Sequence, residues 1–181
     1  MKKIVLIVLM FCLLGTLCLA EDVELMPEDW AFLGYTYGGI TFPVPQDVEF
    51  YELTSQEQAM GIIVICYNDD FTLQLREFDP SQMTLDEFEK KMLDEPTAEV
   101  SFWGENQNVM YVRNTAPTGD SELVSIALNG LDGNLYKISI FTGYDEDYSP
   151  DASVWEIAQT VANSTSQMDF SQWPLEETPA S

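Results

Sequence analysis

The stretch Leu123-Val-Ser-Ile-Ala-Leu-Asn-Gly-Leu-Asp-Gly-Asn-Leu-Tyr-Lys-Ile-Ser-Ile-Phe141 decides the fold class. Residues 123–128 and 135–141 are rich in β-branched and large apolar side chains, and residues 129–134 between them are turn-forming. A three-residue loop Leu131-Asp132-Gly133 pairs Leu128 with Tyr136, Ile126 with Ile138 and Val124 with Ile140. Every cross-strand pair on that face is then apolar, which is what fixes a hairpin register. The same loop puts Gly133 where the backbone needs a positive φ. A two-residue Asp132-Gly133 turn would set Leu128 opposite Lys137, so that register is rejected.

Two further hairpins lie upstream. Residues 62–67 are almost entirely apolar, and Phe71, Leu73 and Leu75 alternate with polar residues after the turn Asn68-Asp69-Asp70. With all three turn residues in the loop, Tyr67 faces Phe71, Ile65 faces Leu73 and Ile63 faces Leu75, and Tyr67 and Phe71 are expected to be buried. Residues 100–103 and 109–112 flank residues 104–108 as the other pair. Nearer the start, Tyr35, Tyr37 and Ile40-Thr41-Phe42 read as strand. Pro43 and Pro45 are expected to end its pairing, and residues 48–53 alternate as a second short strand.

The period changes to about 3.6 in two places. Thr84 with Glu87 forms a capping box, Leu85, Phe88 and Met92 form an apolar stripe, and Pro96 ends the helix. Asp151 or Ser153 caps a second helix with Val154, Ile157, Ala158 and Val161 on one face and Trp155 beside them, ending at 164–166. The order is approximately ββββ-α-ββββ-α. It predicts an α+β fold, an antiparallel sheet of hairpins with two main helices packed on it.

Lys2 and Lys3, an apolar run over residues 4–14, and Cys18-Leu19-Ala20 before Glu21-Asp22 make the pattern of an export signal cleaved after Ala20. The run falls short of the about 20 apolar residues a spanning helix needs. Leu17 departs from the small residue that precedes lipidated cysteines, so acylation of Cys18 is not expected. The organisation read from the chain is a signal peptide at 1–20, a flexible acidic leader at 21–33, a single α+β domain at 34–170 and a mobile tail at 171–181. The expected location is secreted or cell-surface.

Removal of the signal peptide's two lysines from the 7 cations leaves five, Arg76, Lys90, Lys91, Arg113 and Lys137, against 31 carboxylates, a formal charge of −26. Nucleic acid and anionic membrane surfaces should both repel such a body. Cys12 and Cys18 leave with the signal, so Cys66 has no internal disulfide partner and is expected to be a buried thiol.

The motif Gly39-Ile-Thr-Phe-Pro-Val-Pro45, the order of elements and the final amphipathic helix ending near Ser164 resemble the PsbP-like (Mog/PsbP) fold group over about residues 34–170. The resemblance implies a central antiparallel sheet between helices and a non-enzymatic docking or accessory role. Members act on a photosynthetic complex or on a nucleotide-binding switch protein. No functional residue is carried over by it.

The chain has no histidine, which removes Ser-His and Cys-His dyads and imidazole acid–base chemistry. A single remaining cysteine cannot form a thiolate cage, and glycine-rich phosphate loops are absent. Lys137 and Ser139 share a strand face without forming a catalytic pair. The acidic loop Asp145-Glu146-Asp147 with Asp151 is the best ion candidate, but it lacks a calcium-loop order and reads as a solvated segment before a helix. Trp30, Trp103, Tyr144, Tyr148 and Trp173 lie at predicted edges or loops, where aromatics anchor partners or cover sheet ends. No residue is therefore assigned a catalytic, cofactor-binding or metal-ligating role, and no cofactor is expected. The expectation is a non-enzymatic binding module with a protein partner outside the cytoplasm. The alternatives are a carboxylate-only, glycosidase-like hydrolase and an acidic cation-binding structural protein.

Overall fold

The computed structural model describes residues 27, 29–104, 106–116, 122–142 and 152–170. The hairpin of β8 (Val124–Asn129) and β9 (Leu135–Thr142) has the register that its apolar face dictates. Leu128 pairs with Tyr136, Ile126 with Ile138 and Val124 with Ile140. Gly133 takes φ 84° in the three-residue loop, and the Gly130 N–H donates to the Asn134 carbonyl across its base.

This pair sits in a seven-stranded antiparallel sheet of order β3-β4-β5-β9-β8-β7-β6. Its other strands are β3 (Glu49–Phe50), β4 (Ile62–Tyr67), β5 (Phe71–Phe78), β6 (Ala98–Trp103) and β7 (Val109–Asn114). A three-stranded sheet of β1 (Trp30–Tyr35), β2 (Ile40–Pro45) and β10 (Ser166–Gln167) is separate, with β2 in the middle. The helices are α1 (Ser55–Ala59), α2 (Leu85–Leu93) and α3 (Ala152–Ser164). The fold class is α+β, as the order of periodicities predicts.

Strand alternation sends the two faces of the large sheet to two different cores. On one face Leu73, Leu75, Tyr111, Ile126, Leu128, Ile138 and Ile140 meet Ile40, Phe42 and Val44 of the small sheet and Val154, Ala158 and Val161 of α3. On the other face Phe78, Met110, Val112, Ala127 and Leu135 pack under α2 through Phe88, Leu85 and Met92. Full burial of one such side chain contributes about 1.5–3 kcal/mol. The Thr84–Glu87 capping box is formed as expected, and the α2 stripe faces the sheet.

Four expectations need correction. The β4–β5 hairpin is one residue tighter than the predicted three-residue loop. The Asn68 N–H donates to the Phe71 carbonyl at 3.1 Å, and the Asn68 side-chain oxygen accepts from the N–H groups of Asp70 and Phe71 at 3.0 and 3.1 Å. Only Asp69 and Asp70 remain in the loop, so Cys66 pairs with Leu73, Ile65 with Gln74 and Tyr67 with Thr72. Phe71 is buried as expected, but Tyr67 is exposed.

The domain also starts earlier than residue 34. Trp30–Leu33, assigned to the flexible leader, pair with Pro45 through Phe42 in an antiparallel ladder. Pro43 and Pro45 do not end that ladder. The Gly39 carbonyl accepts from Met168, so the odd residues of β2 aim their backbone groups at the β10 edge. β10 reaches only Thr41, so the missing proline N–H groups face a side with no ladder to break. Finally, residues 48–53 form only the two-residue β3, followed by the unpredicted α1 behind its own capping box at Thr54 and Glu57.

Candidate functional site

The α2 helix covers only part of its sheet face. It lies over β6, β7, β8 and the Phe78 end of β5, and its packing does not reach the half made by β3, β4, the start of β5 and the far end of β9, where the five-residue α1 meets β4. The shift of one residue in the β4–β5 hairpin determines what this half presents. Cys66 turns into the core, and Ile65 and Tyr67 turn outward, level with Gln74 and Thr72. Thr72 pairs in turn with Phe141, and Gln74 with Ser139.

Tyr51 joins the same surface. Its N–H extends the β3–β4 ladder to the Ile65 carbonyl at 3.0 Å, and alternation puts it on the side of Glu49. Tyr51 is 46% exposed and Tyr67 37% exposed, while Ile65 and Phe141 are half-buried. None of the four belongs to either core cluster.

One end of this half-face is acidic. Glu49 accepts the Tyr67 hydroxyl at 3.0 Å, and that bond holds the Tyr67 phenol above its ordinary pKa. The Asn68 amide reaches Asp47 at 3.4 Å, and Asp69 and Asp70 form the adjoining turn tip. All four carboxylates are exposed. At the other end Arg76 lies 4.3 Å over the Phe78 ring, and its buried Nε has no acceptor among the described residues.

Three other groupings bring polar side chains together. Asp132 and Glu77 are bridged by the Asn134 amide at 3.1 and 2.6 Å, and Asp132 accepts the buried Tyr136 hydroxyl at 2.7 Å. Burial first, then that carboxylate, drives the Tyr136 phenol well above its usual pKa. Burial also lifts Tyr35, whose ring centroid is 5.7 Å away, to about 12. These phenols stay protonated at neutral pH, and the arrangement ties the β8–β9 loop to β5 and β9. Lys137, on the face of Ser139 as the alternation predicts, pairs with Glu122 at 3.0 Å, and Ser125 donates to the same carboxylate at 2.6 Å. A cavity of about 300 Å³ beside Pro80, Met83, Asp86, Asn129 and Leu135 opens at the start of α2. The first-turn donor there already bonds Thr84, and Asp86 opposes an anion. Among the described residues no three or more Asp, Glu, Cys or His side chains are placed to hold a metal ion.

The aromatics singled out in the sequence are not the exposed ones. Trp103 stacks on Tyr111 with centroids 4.6 Å apart and donates its indole N–H to Ser101 at 2.8 Å. Trp30 packs half-buried against the main core. Tyr144, Tyr148, Trp173 and the acidic group Asp145, Glu146, Asp147 and Asp151 lie outside the described residues. Tyr51, Ile65, Tyr67 and Phe141 were missed as a surface. The available signal was Asn68, whose side chain bonds its own backbone two residues on and so tightens the turn.

Among the described residues no helix is long and apolar enough to cross a membrane. No protein-family model matches the chain, and no curated protein matches it in sequence. Among solved structures the chain is similar to cyanobacterial PsbP (CyanoP) from Synechocystis sp. PCC 6803, at 14% identity and a TM-score of 0.49, over 82% of this chain and 98% of that one. That protein falls in the PsbP-like group that the order of elements resembles, and the likeness is one of fold alone.

Proposed function

We propose that the protein is exported and acts as a non-enzymatic interaction module, docking a partner protein outside the cytoplasm on the open half-face of its large sheet. The observation that carries this reading is the surface of Tyr51, Ile65, Tyr67 and Phe141, apolar side chains on a regular sheet that pack in neither core. Large aromatics at a partly desolvated surface supply the anchor contacts that dominate protein interfaces. The signal-peptide pattern at residues 1–20 supports export, and the chain's acidity disfavours nucleic acid and anionic membrane as partners.

The test is site-specific photo-crosslinking in the producing cells. A benzophenone side chain at position 74, in the middle of the half-face, should give one discrete crosslinked protein, and the same group at position 58 on exposed α1 should give none. Equal crosslinking from both positions, or none from position 74, would remove the docking reading.

A further inference from the structure

We infer that the partner segment seated at the Asp47–Tyr67 end of this half-face is extended and carries lysine or arginine side chains, an inference that rests on the docking reading above. The aromatic surface alone does not choose an occupant; the charge around it does. Asp47, Glu49, Asp69 and Asp70 crowd this end, and all five Lys and Arg side chains of residues 21–181 lie on other elements or further along β5. A second copy of the chain would bring another body of about −26 against these carboxylates, so self-association here is opposed. An acidic or uncharged apolar segment would leave the carboxylates to be desolvated without a counter-charge.

A cationic side chain fits both features at once. The exposed Tyr51 and Tyr67 rings offer π faces to an ammonium or guanidinium, and Glu49, already hydrogen-bonded to the Tyr67 hydroxyl, stands beside them with a second oxygen free to pair. Asp47 is held near the turn by Asn68 and gives the next cation a site on the same side. β3 is the outermost strand of the large sheet and no strand lies beyond it among the described residues, so an extended segment can enter from that edge and cross the half-face, its apolar residues covering Ile65 and Phe141.

The experiment is an NMR titration of the ¹⁵N-labelled chain, residues 21–181, at 150 mM salt. The probe is a terminally blocked decapeptide of alternating lysine and leucine, and the control peptide has glutamine in place of every lysine. The expected result is saturable shifts confined to residues 47–51, 65–72 and 141. The Asp47→Asn, Glu49→Gln double variant should weaken binding at least fivefold, and the Asp94→Asn, Glu99→Gln variant should leave it within twofold. Shifts scattered over all acidic positions, equal binding of the glutamine peptide, or equal loss in both variants would overturn the inference. The crosslinked partner separates the two readings. A discrete protein captured from position 74 whose contacting segment has no lysine or arginine ends this inference and leaves the docking reading standing.

Discussion

Three residues show how local chemistry holds the frame that presents the open half-face. Gly133 sits at φ 84° with open space around it, so Gly133→Ala tests backbone strain alone. Urea denaturation should record a loss of about 1–2 kcal/mol for that variant. Gly38→Ala should cost clearly more, because a Cβ there overlaps the buried Tyr136 ring; equal losses for the two variants would contradict the packing described. Cys66 is fully enclosed, and burial pushes its thiol up to about 12. An aromatic disulfide reagent should therefore leave it unmodified at pH 8 in the native protein and modify it completely in urea. Rapid native modification would mean that β4 opens or that Cys66 does not face the core.

At the scale of elements, the sequence was most legible where one signal dominated. The β8–β9 register followed from apolar pairing because a two-residue Asp132-Gly133 turn sets Leu128 opposite Lys137. The α2 cap followed from Thr84 and Glu87, and Thr84→Ala should cost about 1 kcal/mol in thermal or urea unfolding. A change within error would show that the cap is not formed. Legibility failed where two signals competed. In β4–β5 the apolar pairing of alternate residues favoured one register, and the Asn68 side-chain bonds to Asp70 and Phe71 imposed the neighbouring one. In β2 the prolines argued against pairing, and only the position of β10 made them harmless. The β4–β5 ambiguity is what hides the candidate site, since apolar pairing puts Tyr67 in the core and turns Ile65 inward. The α1 cap at Thr54 carried a readable signal, but its five-residue helix is too short to show a period.

For the whole molecule, charge and burial set the response to solvent. Self-repulsion among 31 carboxylates is screened by salt, so the calorimetric melting temperature should rise between 20 and 300 mM sodium chloride; a fall would argue that attractive pairs dominate. Cys66, Tyr35 and Tyr136 all have pKa values raised by burial in the folded state. A raised folded value gives stability that is complete below the unfolded value and lost as pH rises above it. Unfolding midpoints should therefore fall from about pH 9 for the thiol and about pH 10 for the phenols, and Tyr136→Phe should flatten the decline above pH 10. The proposed docking function puts the contacts on the open half-face and not on other exposed apolar positions such as Tyr37, Leu131 in the β8–β9 loop or Leu93 at the end of α2. Hydroxyl-radical footprinting of the protein, free and in the complex isolated from its native source, measures this residue by residue. Tyr51, Ile65, Tyr67 and Phe141 are expected to lose reactivity in the complex while Tyr37, Leu131 and Leu93 keep theirs. Protection of Tyr37, Leu131 or Leu93 with Tyr51 and Tyr67 still reactive would contradict that placement.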